Sequence, residues 1–248
     1  LYRQFLYKAR VAQGKTFPTA FEHQTFSQNG EDGILCEILR RLKNENGTFL
    51  EIGSGDGLEN NTRLLLQTGW NGAWIDGSES CCSLAREVNK KFISNGNLKI
   101  LNSLVTAENV NQLINDLEVP SNIDVLSLDV DLNTYHVWEQ LEKTKAKIAI
   151  IEYNGFFPAD SNWVAEYDAS GWWDGGFNMG AALKPLVELS RKKGYQLIGC
   201  DLSGANAFFI KEDLAKIHFP DLPDINNLYE PAQPFLLNNP EHRRDLPS

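Results

Sequence analysis

Four residues able to ligate or to move protons sit in two short clusters, Asp129-Val130-Asp131 and Glu152-Tyr153-Asn154. Each cluster closes an apolar run, Ile123–Asp129 and Lys147–Tyr153, that reads as a buried strand. Alternate residues of a strand share a face, so Asp129 goes with Asp131 and Glu152 with Asn154. If the two strands are neighbours, Asp129, Glu152 and Asn154 come within reach of one another. Two carboxylates and an amide are hard oxygen ligands, suited to Mg²⁺, Mn²⁺ or Ca²⁺. A metal held there would bind a substrate hydroxyl and lower its pKa. The same groups without a metal would bind substrate or cap loops. His136 follows in Asn133-Thr134-Tyr135-His136-Val137-Trp138, in the first turn of a predicted helix. The positive helix end disfavours imidazolium, so the ring stays neutral and able to accept a proton. It is the candidate general base, against the plainer reading of a structural histidine.

A second cluster could hold a ligand. Phe49-Leu50-Glu51-Ile52 runs into Gly53-Ser54-Gly55-Asp56-Gly57. Glycine accepts positive φ and lets a backbone approach a ligand closely. In parallel sheets, ligands bind beyond the carboxyl ends of strands, where the strand order reverses. A dinucleotide fingerprint needs its last glycine at position 58, which is Leu58 here. The spacing therefore suits a cofactor without a diphosphate. Asp76 tips the next strand, about twenty residues on, where a carboxylate can accept from ribose hydroxyls. A turn residue ahead of Gly77 is the alternative. Glu51 lies within an apolar strand and needs donors, from turn amides or a ligand ammonium.

These residues need a scaffold of alternating strands and helices. Strands are predicted at Thr48–Ile52, Ala73–Asp76, Leu98–Leu101, Ile123–Asp129 and Lys147–Tyr153. Helical patterns cover Asn29–Leu42, Thr62–Thr68, Ser80–Phe92, Glu108–Leu117 and Thr134–Lys143. In Ser80–Phe92, Leu84, Val88 and Phe92 are expected to face inward. The alternation implies parallel βαβ units with helices on both sheet faces. Residues 154–178 break the pattern with a long loop carrying Phe156, Phe157, Trp163, Tyr167, Trp172, Trp173 and Phe177. Loops of this length are functional or disordered, and aromatics argue against disorder. The loop is a candidate substrate lid, with Asp160, Glu166, Asp168 and Asp174 available to hydroxyls or an amine. A helix over Met179–Lys193 precedes a hairpin of Tyr195–Asp201 and Ala207–Lys211. Six of the ten prolines lie beyond residue 219, so the tail is extended and wraps the domain or a partner. The expected organisation is an extension at 1–26, a core domain at 27–217 with its lid at 154–178, and a Pro-rich tail at 218–248.

Glu51-x-Gly53-x-Gly55-x-Gly57 followed by Asp76 resembles the first motif and the acid after the second strand of class I S-adenosylmethionine-dependent methyltransferases. The resemblance covers about residues 27–211. It implies a Rossmann-like α/β fold: a seven-stranded, mostly parallel sheet, helices on both faces, and a final antiparallel strand. It also implies that the turn holds the amino-acid part of the cofactor and the acid its ribose. Phe26-Ser27-Gln28-Asn29-Gly30-Glu31-Asp32, Asn60-Asn61-Thr62 and Gly69-Trp70-Asn71-Gly72 are similar to FkbM-type methyltransferases of small molecules and sugars. The cofactor-binding set this implies is Gln28, Glu51, Gly53, Gly55, Asp56, Thr62, Asp76, Asn102 and Asp129. Two departures stand out: Asp76 replaces a frequent Glu, and Asn102 replaces an acid that contacts adenine. Asp129, Glu152 and Asn154 resemble the ligands of metal-dependent catechol and macrolide-sugar O-methyltransferases, except that Tyr153 separates two of them. Base-methylating relatives carry an Asn-Pro-Pro-Tyr-like segment after the fourth strand, which this sequence lacks.

Composition narrows the partners. The 248 residues carry a net charge of −10. Such a surface repels phosphate backbones and anionic lipid, which argues against nucleic-acid and membrane partners. No run approaches the ~20 apolar residues of a membrane span, and no signal peptide is visible. Cys36, Cys81, Cys82 and Cys200 lack C-x-x-C spacing and suit a reducing cytoplasm. The expected activity is methyl transfer from S-adenosylmethionine to a hydroxyl of a small polar metabolite, a sugar or glycosylated compound. His136 and Asp129 are the expected catalytic residues, Mg²⁺ or Mn²⁺ the candidate metal, and a homo-oligomer is compatible. The rivals are a nucleotide-dependent oxidoreductase and a catalytically silent cofactor-binding module.

Overall fold

The computed structural model describes residues 19–171 and 176–233, with isolated positions 5, 8, 9 and 12. Trp172, Trp173 and Asp174 of the expected lid, most of the 1–26 extension, and the tail beyond 233 lie outside the described residues.

Seven strands form one sheet: β1 Thr48–Ile52, β2 Asn71–Asp76, β3 Leu98–Asn102, β4 Asn122–Leu128, β5 Lys145–Glu152, β6 Tyr195–Cys200 and β7 Asn206–Lys211. Their order is β3-β2-β1-β4-β5-β7-β6. All neighbours from β3 to β5 are parallel, and β7 runs antiparallel to both β5 and β6. The antiparallel strand expected at the chain's end is thus inserted one place in from the sheet edge. The helices are α1 Glu31–Leu42, α2 Arg63–Gln67, α3 Glu79–Val88, α4 Lys90–Ser94, α5 Val110–Asp116, α6 Thr134–Gln140, α7 Leu183–Lys192, α8 Glu212–His218 and α9 Ile225–Leu228.

Strand side chains alternate between two cores, one on each sheet face. Leu50, Ile52, Leu126, Leu128, Ala149 and Ile151 pack beneath Val110 and Ile114 of α5, Trp138 of α6 and Leu186 of α7. Phe49, Trp74, Val125, Ile148 and Ile150 face Ile34 and Ile38 of α1, Leu65 and Leu66 of α2 and Ala215 of α8. This is the three-layer arrangement that the alternating pattern demands.

Two predicted helices differ from expectation. Ser80–Phe92 is two helices, broken at Asn89, whose buried Nδ2 donates back to Ala85 O at 2.9 Å. Such back-bonding competes with helix propagation. Leu84 and Val88 are exposed, and the buried face is Cys82, Ala85 and Asn89. These residues bury their helix against β2 and β3, which sets its orientation. The helix expected from Met179 begins at Leu183. Pro185 is tolerated in a first turn, where its missing N–H is not needed, but not in a helix interior.

Residues 230–233 clasp the segments that follow β5 and precede β7. Tyr153 Oη donates to Glu230 O in a short hydrogen bond. Ala232 N donates to Gly155 O at 2.8 Å, and Gln233 N to Ser203 O at 2.8 Å. Residues 229–233 therefore pack along the domain. Among the described residues, no helix is long and apolar enough to cross a membrane.

Candidate functional site

The glycine turn lies where the strand order reverses, because β1 sits between β2 and β4. Gly53, Gly55 and Gly57 have φ of 84°, 56° and 71°, a region that L side chains enter at a cost of about 1–2 kcal/mol. The surroundings of the three differ. A Cβ on Gly53 would stand 1.6 Å from Asp129 O, and one on Gly57 would stand 2.6 Å from the Trp74 ring. A Cβ on Gly55 would meet nothing within 4 Å. Gly53 and Gly57 are therefore required by the fold, whereas Gly55 lines open space.

Asp76 supports the turn: its Oδ2 accepts from Gly55 N at 2.7 Å and its Oδ1 from Ser78 N at 2.8 Å. A carboxylate oxygen has a second lone pair, so both retain acceptor capacity. Asn102, opposite Asp76 in the β2–β3 register, donates from Nδ2 to Asp76 O at 3.0 Å. Asp56 makes a local turn by accepting from Leu58 N at 2.9 Å. Gln28 is half-buried in the loop before α1, its carbonyl accepting from Gln24.

Glu51 finds its donors in the segment that opens α2. Its carboxylate accepts from Asn60 Nδ2 at 2.7 Å, Asn61 N at 2.8 Å, Thr62 N at 3.0 Å and Thr62 Oγ1 at 2.5 Å. Burial pushes its pKa above the usual carboxylate range, and these four donors oppose the shift. Thr62 Oγ1 also accepts from Trp74 Nε1 at 2.8 Å. Glu51 and Thr62 thus fix the Asn60–Thr62 segment beside the turn. Two buried polar atoms there have no partner among the described residues, Ser54 Oγ and Asn60 Oδ1. Buried groups of this kind point to a missing partner. Both residues lie within the sequence motifs of the turn and of Asn60-Asn61-Thr62, but no local pattern distinguishes an unpaired Ser or Asn from a paired one.

Across the switch point lies a carboxylate cluster. Ligand oxygens of Asp129, Asp131 and Glu152 all lie within 4.8 Å of one another. Asp131 has φ of 51°, an uncommon conformation for a residue with a side chain. Thr134, fully buried at the start of α6, accepts from Val130 N at 3.0 Å through Oγ1 and lies 3.4 Å from Glu152 Oε2. The cluster contains Asp131 where the sequence had suggested Asn154. The shared strand face of Asp129 and Asp131 was the available signal. Asn154 is committed elsewhere: Nδ2 donates to Phe177 O at 2.7 Å and Met179 O at 3.0 Å, and Oδ1 accepts from Phe156 N at 3.2 Å.

His136 faces the aromatic loop. Its Nε2 lies 2.9 Å from Ala165 O. A carbonyl only accepts, so Nε2 carries the proton and Nδ1 is the basic nitrogen of the neutral ring. Its ring lies 5.2 Å from that of Tyr167 and 5.4 Å from that of Tyr135. Tyr167 Oη donates to Glu108 Oε2 at 2.5 Å, which holds the Glu108 carboxyl below its ordinary pKa. His136, Glu139, Gln140, Glu108, Ala107 and Tyr167 line a cleft of about 360 Å³. In the loop itself Phe157 stacks on Trp163 at 4.3 Å, and Phe156 meets Phe177 edge-on at 4.7 Å. Phe156 and Phe177 are both exposed.

No protein-family model matches the chain, and no curated protein is significantly similar to it in sequence. Solved structures do match. A Staphylococcus aureus protein assigned as a caffeoyl-CoA O-methyltransferase is 13% identical over 85% of this chain and 99% of its own, with a TM-score of 0.51. The shared fold is the Rossmann-like methyltransferase fold. At that identity the likeness is one of fold, and function must come from the site. The Burkholderia thailandensis 1,6-didemethyltoxoflavin-N1-methyltransferase, solved with its toxoflavin precursor and S-adenosylhomocysteine, is 12% identical over 84% of this chain and 87% of its own, at a TM-score of 0.48. The pyocyanin biosynthetic protein PhzM is 17% identical at a TM-score of 0.42; the match covers 71% of this chain and 53% of PhzM, about half its length.

Proposed function

We propose that this chain is an S-adenosylmethionine-dependent O-methyltransferase of a small polar acceptor, a sugar or glycosylated metabolite. The observation that carries the reading is the glycine turn at the switch point, with open space at Gly55 and unpartnered Ser54 Oγ and Asn60 Oδ1 beside it. The residues fit the cofactor's amino-acid end. Asn60 Oδ1 can accept from an ammonium, Ser54 Oγ can donate to a carboxylate, and Asp76 retains lone pairs for ribose hydroxyls. The methyltransferase fold supports the same reading.

Bound, S-adenosylmethionine supplies a methyl group on a positively charged sulfur. The chain's part is to hold the acceptor oxygen in line with it, to take that oxygen's proton, and to exclude water. Nδ1 of His136 and the Asp129 carboxylate are the candidate proton acceptors. The exposed Phe156–Phe177 pair offers an aromatic face to a sugar ring. Asp129, Asp131 and Glu152 would hold Mg²⁺ or Mn²⁺, which would polarise an acceptor hydroxyl. The same carboxylates without metal would accept hydrogen bonds from acceptor hydroxyls directly. The FkbM-like resemblance and the acidic surface favour a small neutral or cationic acceptor over nucleic acid. Residues 27–217 are the catalytic unit in this reading, with 154–178 on the acceptor side. Four free thiols suit a cytoplasmic setting.

The test is a mass-shift screen of the protein with S-adenosylmethionine and a panel of sugars, glycosides and sugar nucleotides. A gain of one methyl group on a hydroxyl supports the proposal. Cofactor binding without transfer to any of them would favour a silent binding module.

A further inference from the structure

Two asparagines occupy equivalent places beside the carboxylate cluster. Asn133 lies two residues beyond Asp131, and Asn154 two residues beyond Glu152. Both are buried, at 4% and 1% exposure. Each turns its carboxamide onto the backbone of the aromatic loop. Asn133 Nδ2 donates to Asp168 O at 2.7 Å, and its Oδ1 accepts from Asp168 N at 3.3 Å. Asn154 donates both Nδ2 protons to the returning limb, at Phe177 O and Met179 O, while its own backbone N donates to Ala181 O at 2.8 Å.

We infer that Asn133 and Asn154 are a pair of positioning residues that clamp the two limbs of the aromatic loop to the strand ends bearing the carboxylates. The two limbs are tied to each other as well. Ala165 N donates to Gly180 O at 2.9 Å and Ala182 N to Trp163 O at 2.9 Å, and Val164 and Ala181 form an isolated bridge. The returning limb is seated directly on the β4 loop, since a Cβ on Gly180 would stand 3.5 Å from Asp131 O. An asparagine suits this task because one flat group both donates and accepts, and can therefore satisfy a stretch of loop backbone that has no sheet partner. The spacing ties the loop to the same short segments that carry Asp131 and Glu152. Any displacement of the carboxylates is thereby shared with the aromatic face. The clamp itself is a matter of the loop and the strand ends and needs no assigned function. Its consequence, acceptor alignment, rests on the function proposed above.

The experiment is hydrogen exchange by mass spectrometry on the full chain, with wild type, Asn154→Asp, Asn154→Leu and Asn133→Leu. Two ordinary hydrogen bonds are worth about ten-fold or more in a local opening equilibrium. Asn154→Leu is expected to speed exchange in peptides over 176–182 by that factor, and Asn133→Leu in peptides over 161–171. Peptides over β4 and β5 should keep the wild-type rate. Asn154→Asp, which presents acceptor oxygens to the same two carbonyls, is expected to speed exchange over 176–182 as Asn154→Leu does. Unchanged loop exchange in the leucine variants would overturn the inference. So would acceleration spread equally over β4 and β5, which would mark a general loss of stability. Calorimetry with S-adenosylhomocysteine separates the two proposals. Affinity within two-fold of wild type in all variants supports a clamp on the loop, and a loss above ten-fold in any would place the asparagines on the cofactor instead. If wild type itself binds none, the proposed function fails while the exchange result still decides the clamp.

Discussion

Alanine at Gly55 and alanine at Gly53 should separate ligand approach from folding. Both positions have positive φ, so each alanine costs about 1–2 kcal/mol of backbone strain. At Gly55 that is the whole structural cost, because the added methyl meets nothing within 4 Å. For a chain of this size, 1–2 kcal/mol corresponds to a fall in Tm of about 2–8 °C. At Gly53 the methyl would lie 1.6 Å from Asp129 O, a backbone atom that cannot swing aside. Relieving that overlap means separating β1 from β4, which threatens most of a typical 5–15 kcal/mol of stability. Gly55→Ala should therefore purify as a folded protein and Gly53→Ala should not. The assay is thermal denaturation followed by calorimetry with S-adenosylhomocysteine. Gly55→Ala should bind at least ten-fold more weakly, a loss of about 1.4 kcal/mol or more, because its methyl occupies space left for the ligand. Wild-type affinity in a folded Gly55→Ala protein would refute the claim that a cofactor approaches this face of the turn.

Asp76→Ala should weaken the same binding, and Asp76→Asn should weaken it less, since an amide oxygen can still accept one bond; calorimetry giving unchanged affinity for the alanine variant would remove the ribose role. Excess chelator should abolish turnover and Mg²⁺ or Mn²⁺ restore it if the Asp129–Asp131–Glu152 cluster holds a metal, and full activity in chelator would assign the carboxylates to direct acceptor binding. Asp201 is wholly buried, and burial together with the neighbouring Glu31 carboxylate pushes its pKa up to about 7. A raised pKa in the folded state means that its contribution to stability is fully present below about pH 4 and is lost as pH rises to about 7. Denaturant melts across that range should show the loss in wild type and a flatter profile in Asp201→Asn; identical profiles would contradict the assignment.

The parallel sheet was legible because β1 to β5 are short apolar runs separated by helical periodicity, and β1 was bounded at its observed ends, Thr48 and Ile52. The site's frame was legible for a related reason. Glycines take positive φ without side-chain strain in a tight turn at a strand end, and Gly53, Gly55, Gly57 and Asp76 stand at the switch point. Side-chain partners were not legible. Glu51 needed donors, and Asn60, Asn61 and Thr62 supply them across a turn whose geometry no periodicity encodes. Asn154 has the chemistry of a ligand, yet its amide is spent on loop carbonyls some twenty-five residues away in sequence. The inward face of α3 departs from apolar periodicity: Leu84 and Val88 are more apolar than Cys82, Ala85 and Asn89, yet they lie exposed. Close packing against β2 and β3 chose the smaller residues.

The most direct test of the account is titration of the wild-type protein with S-adenosylhomocysteine in a calorimeter, with NADH as the control ligand. The account predicts saturable binding of one S-adenosylhomocysteine per chain, displaced by S-adenosylmethionine, and no binding of NADH. Saturable NADH binding with no response to S-adenosylhomocysteine would contradict it.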